Sequence, residues 1–304
     1  MLAMTAPVWA ADAQFNGWWD IRVPDHPQKR ASWMEITGAG TPALKGRFVG
    51  FPGGNMNDIE NLTLKDGVLR FIFEMPARGK SSGLRYEYTA KLVDGRLVGT
   101  CNTGRTEMAW TGERAPKIDE HDDGSWRKGK PIHLFNGKDL AGWKGIMRGG
   151  QLGWSVKDGL LTASGSANNL ESEGKYWNYV LHVEYRVRPK SNSGIGLRGR
   201  YEIQILEDYG APPDTHSNGS LYSRIAPSVN AGKPAGEWQT FDIRLVGRDV
   251  TVVLNDKQVV KGLIEGLTAM ATDPEEGKPG PITLQGDHGP VEFREIVLTP
   301  LVKK

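Results

Sequence analysis

The residues best suited to chemistry lie in one short stretch, Tyr201-Glu202-Ile203-Gln204-Ile205. Alternate side chains of a β-strand point to opposite faces, so Glu202 and Gln204 share one face and the apolar residues share the other. The Cα atoms of Glu202 and Gln204 are then about 6.6–7 Å apart. Gly194 and Gly196, just upstream, remove side chains and leave room for a ligand. A carboxylate beside an amide in such a hollow suits proton transfer to or from a polar ligand.

More polar side chains surround this stretch. Arg198 has the parity of Glu202 if no bulge intervenes, and Asp208 has it if the strand continues. A long polar loop over residues 208–222 comes next, and loops at sheet ends commonly carry sites. Its candidate binding residues are Asp208, Asp214, His216 and Tyr222. Much later in the chain, a tight turn presents His288 just after Gln285, which makes both residues candidates for a site.

The sequence contains only weak evidence for a metal site. Asp214 and His216 could bind a divalent cation, although two ligands at i and i+2 are a weak signal for a metal site. The His-Asp-Asp run at 121–123 fits a solvated linker better than a metal site. Cys101 is the single cysteine, so it can form no intrachain disulfide, and it fits a buried thiol. The sequence itself requires no cofactor.

Several functional classes are excluded or disfavoured. Residues 194–199 match G-x-G-x-x-G, but dinucleotide binding through that pattern needs a following helix, and here the strand at 201–205 follows. Residues 79–83 match the G-x-S-x-G pattern of serine hydrolases by letter, but that motif needs a helix after its serine, and no window of helical length shows a helical period. A net charge of +2 offers nothing that attracts polyanions, so no nucleic-acid partner is expected.

Turn signals and alternation predict that the chain of 304 residues is nearly all β. Asp-Gly pairs at 66–67, 94–95 and 158–159 lie between apolar runs, and such pairs supply the positive φ that tight hairpins need. Asn255-Asp256 is a weaker version of the same signal. Residues 181–187 alternate apolar and polar side chains, as a half-buried strand does. No window of helical length shows a clean 3.6-residue period.

A polar, charged segment at residues 114–130 predicts a linker between two domains. Before it, residues 15–113 hold seven or eight short strands by pattern, enough for a small antiparallel β-barrel-like domain. After it, residues 131–302 hold a longer series of strands, enough for a two-sheet sandwich.

The N-terminal residues 1–13 read MLAMTAPVWAADA and are mostly small and apolar. We interpret them as the remnant of a secretory signal, because a signal peptidase accepts small residues at alternate positions before its cut. This interpretation predicts a periplasmic or secreted bacterial protein. No stretch of about 18 apolar residues occurs, so no transmembrane helix is expected.

Residues 131–302 resemble, in order and along their whole length, the 3-keto-disaccharide hydrolase domain family, a concanavalin A-like jelly-roll sandwich of exported bacterial proteins. The matching stretches are Leu134–Trp143, Asn192–Ile195 with Arg198, Tyr201–Ile205, Gly219–Tyr222, Lys233-Pro234, Gly236–Trp238, Gly280–Ile282, Leu284-Gln285, His288-Gly289 and Phe293-Arg294. Glu295 departs from the pattern, since relatives often have Asn there, and we expect this change to affect local packing. Residues 15–113 lie outside the resemblance.

The resemblance implies cleavage of glycosides that a separate nicotinamide-dependent dehydrogenase has oxidised at C3. The ketone acidifies the C2 proton, a base removes it, and the C1 substituent leaves by elimination; water can then add back. The base would be Glu202 or His288. The other expected substrate contacts are Arg198, Gln204 and Gln285 around the C3 oxygen, Tyr222, Asp208 and His216 at hydroxyls or the leaving group, Trp143 or Trp238 as a stacking surface, and Lys233.

Two other functions stay open from the sequence. Laminarinase-type glycosidases of similar fold carry two carboxylates on one strand, and retaining chemistry needs them about 5–5.5 Å apart. Gln204 occupies the second position here, which argues against that class. A lectin-like, non-catalytic carbohydrate-binding module would use the same polar residues without turnover.

Overall fold

Two units of antiparallel β-structure make up the chain, Met1–Pro116 and Lys117–Lys304. The computed structural model describes residues 12–25, 31–50, 54–75, 83–147, 149, 151–269, 271–272 and 275–303. Most of the predicted signal remnant, residues 1–11, lies outside the described residues. Within the described ranges the helical content is one short 3₁₀ turn, Ala13–Phe15. No helix in that part of the chain is long and apolar enough to cross a membrane.

The first unit is a nine-stranded meander. Its strands are β1 Gly17–Arg22, β2 Ser32–Thr37, β3 Lys45–Val49, β4 Asn57–Asp58, β5 Thr63–Lys65, β6 Val68–Met75, β7 Leu84–Val93, β8 Arg96–Asn102 and β9 Glu107–Arg114. β1 pairs with both β2 and β9, so the first and last strands of the unit are neighbours, while β4 and β5 form the two ends of the strand order. The unit is one nine-stranded antiparallel sheet, with an aromatic core that includes Trp19, Phe48 and Trp110.

The predicted hairpins are confirmed in both units. Asp66-Gly67, Asp94-Gly95 and Asp158-Gly159 each join two directly paired strand ends and have positive φ at both positions. Asn255-Asp256 does the same. Positive φ at both central residues is the geometry of a type I′ turn, whose twist matches that of the flanking strands. Local sequence therefore set these four hairpins.

The second unit is a sandwich of two sheets. Its strands are β10 Trp126–Lys128, β11 Ile132–His133, β12 Trp143–Gly145, β13 Trp154–Lys157, β14 Leu160–Ala163, β15 Leu170–Ser172, β16 Tyr179–Val187, β17 Asn192–Leu197, β18 Tyr201–Leu206, β19 Gln239–Val246, β20 Asp249–Leu254, β21 Lys257–Leu263, β22 Thr283–Leu284 and β23 Val291–Lys303. The large sheet runs β13-β14-β23-β16-β19-β20-β21, with β10 and β11 also on β23. The small sheet runs β12-β15-β22-β17-β18.

The core of the second unit lies between these sheets. On β16 the inward residues Leu181, Val183 and Tyr185 are fully buried, while the residues between them are half-buried. The inner face of the small sheet contributes Leu170, Leu284, Ile195, Ile203 and Leu221. Both sheets therefore follow the alternation expected of sandwich strands, and the all-β fold class is confirmed.

Residues 117–130, predicted as part of a linker, belong to the second unit in this structure. Trp126 is buried and lies on β10, which pairs with the end of β23. Glu120 accepts hydrogen bonds from the Trp177 indole at 2.5 Å and from Asn178 at 3.1 Å. The segment packs on the sandwich because its polar side chains and one aromatic ring contact residues there. Its polar composition does not predict these contacts.

Candidate active site

The outer face of the small sheet carries two polar rows, and strand register defines them. Residues directly opposite each other in antiparallel strands point to the same face. The first row is Lys144, Glu171, Thr283, Gly196 and Glu202, on β12, β15, β22, β17 and β18 in that order. The second row includes Gln285, Gly194 and Gln204, since Gln285 donates its backbone N–H to Gly194 and Gly194 is opposite Gln204. We call these two rows the polar face.

The glycines of the polar face let two functional groups lie flat on the backbone. A Cβ built on Gly194 would overlap Oε1 of Glu202 and would come within 2.7 Å of its Cδ. A Cβ built on Gly196 would overlap Oγ1 of Thr283. The space that the sequence analysis assigned to a ligand is therefore occupied by a carboxylate and a hydroxyl. The two glycines place these groups rather than leaving an open hollow.

Glu202 is held through its backbone at the edge of the sheet. Its N–H donates to Oγ1 of Thr268 at 2.5 Å, and its carbonyl accepts from the N–H of Tyr222 at 3.0 Å. Leu221 pairs with Ile203 and points into the core. Its neighbours Ser220 and Tyr222 therefore point to the side of Glu202. The Tyr222 ring in turn packs edge-on against His216, with ring centroids 4.8 Å apart.

The part of the polar face on β22 and β18 is buried although its side chains are polar. Glu202 is 1% exposed, Gln204 3% and Gln285 8%. Oγ of Ser220, Oγ1 of Thr283 and Oε1 of Gln285 are buried and have no hydrogen-bond partner within the described part of the chain. Buried polar atoms almost always have a protein or water partner, so a group of such atoms on one face is the mark of a hydrated or ligand-binding site.

Asp208 anchors the loop that follows β18. The strand ends at Leu206, so Asp208 does not continue the Glu202 face as an extended strand would require. Its Oδ2 accepts from the backbone N–H of Asn218 at 2.9 Å, and its carbonyl accepts from Asn230. Burial raises the pKa of its carboxyl above the ordinary value. The residue thus ties the start of the loop that carries His216 to Asn218 and Asn230, which come after that histidine.

Two side chains that were predicted to contact substrate form hydrogen bonds within the protein instead. Arg198 lies in the turn between β17 and β18, and its guanidinium donates to the carbonyls of Trp177 and Gly247 at 2.7 and 2.8 Å. The structure does not bring this side chain to the polar face, because the turn with positive φ at Arg198 breaks the strand parity. Trp143 is a core residue, and its indole donates to the carbonyl of Leu134 at 2.7 Å.

Three other candidates lie on exposed segments. His288 is on the turn after β22, its side chain is 56% exposed, and its Nδ1 is 2.7 Å from Oδ1 of Asp287. Lys233 is exposed, and its ammonium donates to the carbonyl of Trp238 at 3.0 Å. The Trp238 ring has two guanidinium groups over it, from Arg186 and Arg294, at 4.8 and 4.5 Å from its centroid. The structure thus places Glu202, Gln204 and Gln285 on the polar face, with the Tyr222 backbone bonded to Glu202 and His216 packed on the Tyr222 ring.

Four residues of this region are not predicted from the sequence. Thr283 directly precedes the buried Leu284, and Ser220 directly precedes the buried Leu221. Period-two alternation could therefore have placed both hydroxyls on the polar side of the sheet. Lys144 and Glu171 belong to the first row only because β15 pairs with β22, a pairing across more than a hundred residues of sequence. No local signal marks such a pair.

One group of possible metal ligands occurs among the described residues, and it lies elsewhere. His182, Glu184 and Glu295 have ligand atoms within 4.8 Å of one another, on β16 and β23 of the large sheet. Glu184 also forms an ion pair with Arg294, which competes with a cation. The predicted pair Asp214 and His216 lies in one turn, in which Oδ1 of Asp214 accepts from the His216 backbone N–H at 2.7 Å.

The contact of His182 with Asp242 predicts a pH dependence of stability. Oδ1 of Asp242 lies 2.9 Å from Nδ1 of His182 and raises the histidine pKa above its ordinary value of 6.5. The folded state then holds the proton more tightly than the unfolded state. The free energy of unfolding should therefore be higher below pH 6.5 and fall as pH rises through the raised pKa. Both side chains are partly exposed, so the effect should be under about 1 kcal/mol.

Urea unfolding followed by tryptophan fluorescence between pH 5.5 and 8.5 measures this dependence. Asp242→Asn should flatten the slope, because the neutral amide stabilises the imidazolium less. An unchanged slope in Asp242→Asn would show that another group causes it.

Comparison with known proteins agrees with this architecture. A family model described as the 3-keto-alpha-glucoside-1,2-lyase-like domain matches residues 130–299. A 3-keto-disaccharide hydrolase of Bacteroides thetaiotaomicron is 24% identical, over 43% of this chain and 57% of that protein. The matched part thus spans little more than half of that relative.

One solved structure supports the same fold. A candidate glycosyl hydrolase from Parabacteroides distasonis superposes with a TM-score of 0.50 and 27% identity, covering 62% of this chain and 93% of the other. A second candidate glycosyl hydrolase from that organism has a TM-score of 0.47 and 21% identity, with 57% and 94% covered. The family match covers more than half of the chain and includes every strand of the small sheet that carries the polar face. The chain therefore belongs to the 3-keto-alpha-glucoside-1,2-lyase-like domain family.

Proposed function

We propose that this protein cleaves 3-keto-glycosides, with Glu202 as the base that removes the C2 proton. The observation that carries the proposal is the buried Glu202 carboxylate laid over Gly194, on a face where Oγ of Ser220, Oγ1 of Thr283 and Oε1 of Gln285 have no hydrogen-bond partner among the described residues. Family membership supports it, as does the name of the Bacteroides relative. The likeness to a candidate glycosyl hydrolase supports the broader class of carbohydrate-active enzymes.

The chemistry follows from the C3 ketone. Glu202 takes the proton from C2, and the C2–H electron pair forms an enolate whose charge lies on the C3 oxygen. The enolate then expels the substituent at C1, which breaks the C1–O bond and leaves a C1–C2 double bond. The departing oxygen takes up a proton. Addition of water at C1 and C2 returns the proton to C2 and gives net hydrolysis.

The residues of the polar face suit the other roles in this sequence. The unpartnered hydroxyl of Thr283 can donate to the developing enolate oxygen, as can the side-chain N–H of Gln285, and buried donors of this kind contribute strongly because water does not compete. Tyr222, on the side of Glu202 and packed against His216, can supply the proton of the leaving group. Gln204 can hold a ring hydroxyl.

The geometry disfavours an ordinary two-carboxylate glycosidase. The other glutamate of the first row, Glu171, is three strands from Glu202, or roughly 14 Å between backbones. Retaining and inverting mechanisms need carboxyl groups about 5–5.5 Å and 6.5–9.5 Å apart. The amide Gln204 stands at the nearer position. Base-driven elimination needs a single carboxylate, which is what this strand provides.

Product analysis by NMR in D₂O tests the proposal. The purified protein is given a 3-keto-glucoside and, as control, the unoxidised glucoside, each with and without a chelator. Cleavage of the keto sugar alone, with deuterium at C2 of the released sugar, is the expected result. Binding without cleavage of either sugar would contradict it and assign the protein to the non-catalytic carbohydrate-binding class. Loss of cleavage with chelator would add a metal requirement.

The substrate's chemistry sets its place in a reaction sequence. A sugar ketone at C3 must come from oxidation of the glycoside, so we propose a separate nicotinamide-dependent dehydrogenase as its source. We also propose that both steps serve exported carbohydrate degradation, on the basis of residues 1–13. Cell fractionation with an antibody to the protein tests the second point, and a purely cytoplasmic signal would contradict it.

A further inference from the structure

The first unit has a cleft at one end of its curled sheet. Phe48 on β3 packs edge-on against Phe71 on β6 and Tyr88 on β7, with ring centroids 5.1 and 5.3 Å apart. Because β3 lies near one end of the strand order and β6 and β7 near the other, the sheet must bend round for these rings to meet. The chain after β1, the start of β7 and the turn between β8 and β9 surround a cleft of about 610 Å³, a size typical of small-molecule sites.

The inner wall of this cleft is apolar. Tyr86 on β7 and Met108 on β9 line it, and each is only 8% exposed because both point into the curled sheet. Leu84, at the start of β7, adds apolar surface nearer the solvent. A phenol ring and a thioether together offer a flat, adaptable apolar surface with one polar tip.

Three charged side chains line the outer part of the cleft. Asp25, Arg105 and Glu107 are all exposed. Across the ranges that the structure describes, none of the three side chains forms an ion pair or a hydrogen bond. Arg85, also on the lining, already forms ion pairs with two glutamates. One guanidinium and two carboxylates are therefore available to a ligand.

Arg105 is at the tip of a turn that hydrogen bonds hold in place. The backbone N–H of Thr103 donates to the carbonyl of Thr106 at 3.0 Å, and the Thr106 N–H donates to Oγ1 of Thr103 at 3.1 Å. The N–H of Gly104, whose φ is +79°, donates to Oδ1 of Asn102 at 2.7 Å. The backbone that carries Arg105 is thus fixed before a ligand arrives, which lowers the entropic cost of binding.

The mixture of charges around the cleft selects the class of ligand. An anion would be repelled by Asp25 and Glu107, and a cation would be repelled by Arg105. A wholly apolar molecule would displace water from these charges without replacing its hydrogen bonds, which is costly. A hydroxyl group both donates and accepts, so a molecule rich in hydroxyls can bond to carboxylates and guanidinium together. The C–H face of a sugar ring can at the same time pack on Tyr86.

We infer that this cleft is a second carbohydrate site, which binds a neutral saccharide through the charged side chains of Asp25, Arg105 and Glu107. The inner wall of Tyr86 and Met108 carries the sugar ring. The site lies in the first unit, outside the residues that the family model matches. It is independent of the proposed catalysis on the polar face, and it gives the first unit the role of holding a glycan.

Calorimetric titration of the whole protein with maltotriose, cellotriose and laminaritriose tests the inference. At least one of these sugars should bind, and Arg105→Ala and Glu107→Gln should each raise its Kd about tenfold, as expected for loss of one hydrogen bond to a charged group. Arg96→Ala and Glu113→Gln are the matched controls, because these exposed residues lie at the opposite ends of β8 and β9, and both should bind like the wild type. Absence of binding by all three sugars, or equal weakening in the controls, would overturn the inference.

Two further measurements define the site and its ligand class. Weaker binding in Glu202→Gln, with wild-type binding in Arg105→Ala, would assign the trisaccharide to the polar face and overturn the second site. Glucuronate and glucosamine carry opposite charges and should each displace the trisaccharide less well than glucose does, because each meets a like charge. Displacement by either charged sugar as strong as that by glucose would overturn the assignment to neutral saccharides. None of these measurements needs turnover, so failure of the proposed function would leave this test unaffected.

Discussion

Replacement of Glu202 by Gln should lower kcat on a 3-keto-glycoside by about 10²- to 10⁴-fold, the range that a positioned general base contributes. The amide keeps the shape of the side chain over Gly194 but cannot accept the C2 proton. Removing a buried charge should leave the fold intact, so the thermal unfolding midpoint should stay close to that of the wild type or rise. Stopped assays that quantify released sugar, together with circular dichroism melts, measure both quantities.

The matched control for this change is Glu295→Gln. Glu295 lies on β23 of the large sheet, away from the polar face, and the same substitution there should leave kcat unaltered. A second signature separates loss of the base from a general disturbance. Deuterium exchange at C2 of a substrate analogue that cannot eliminate should stop in Glu202→Gln alone. Exchange at the wild-type rate in Glu202→Gln would remove Glu202 from the mechanism.

Replacement of Gly194 by Ala should cost at least about 10²-fold in kcat, because the added methyl group takes the place of the Glu202 carboxylate. Misplacing a catalytic group by about 1 Å can have an effect of this size. The built Cβ also lies 2.7 Å from Cδ of Glu202, so the side chain must move. Inserting a methyl group into a packed site costs typically about 1–3 kcal/mol, and urea unfolding should show a loss of stability in that range.

A double-mutant cycle identifies the cause of the Gly194→Ala effect. If the added methyl group acts by moving Glu202, the double variant with Glu202→Gln should be no slower than Glu202→Gln alone. Gly129→Ala is the control for the added methyl group, since its nearest neighbour would be 3.3 Å away and it lies outside the small sheet. If the fold losses in kcat of Gly194→Ala and Glu202→Gln multiply in the double variant, the glycine acts independently of the carboxylate.

Local sequence decided the elements of this fold. The Asp-Gly turns predicted their hairpins because positive φ at two successive residues is a local requirement. The alternation over residues 181–187 predicted which side chains would be buried. The predicted linker shows the limit of this reasoning, because the polar residues of segment 117–130 become anchors only when Trp177, Asn178 and Arg244 come together to receive them.

The residues of the candidate site also fall into two groups, those that the sequence predicts and those that only packing shows. Period-two alternation is enough to place Glu202 and Gln204 on one face, since it depends on strand geometry alone. The same alternation placed Arg198 wrongly, because a turn interrupts the strand at this residue. Its guanidinium donates hydrogen bonds to three oxygens that are distant in sequence, two backbone carbonyls and one side-chain amide. Trp143 looked like a stacking ring by type, and only packing shows that its indole is buried against Leu134.

The sequence by itself therefore determined the strands, their turns, the all-β fold and the strand that carries the proposed base, since each depends on neighbouring residues. The tertiary structure alone decided what faces that base. Thr283, Gln285 and the Lys144–Glu171 pair reach the polar face through pairing of β12, β15, β22 and β17, strands that are far apart in the chain. Strand order is set by the burial of both sheets' apolar faces against each other, a property of the whole sandwich that no local pattern contains.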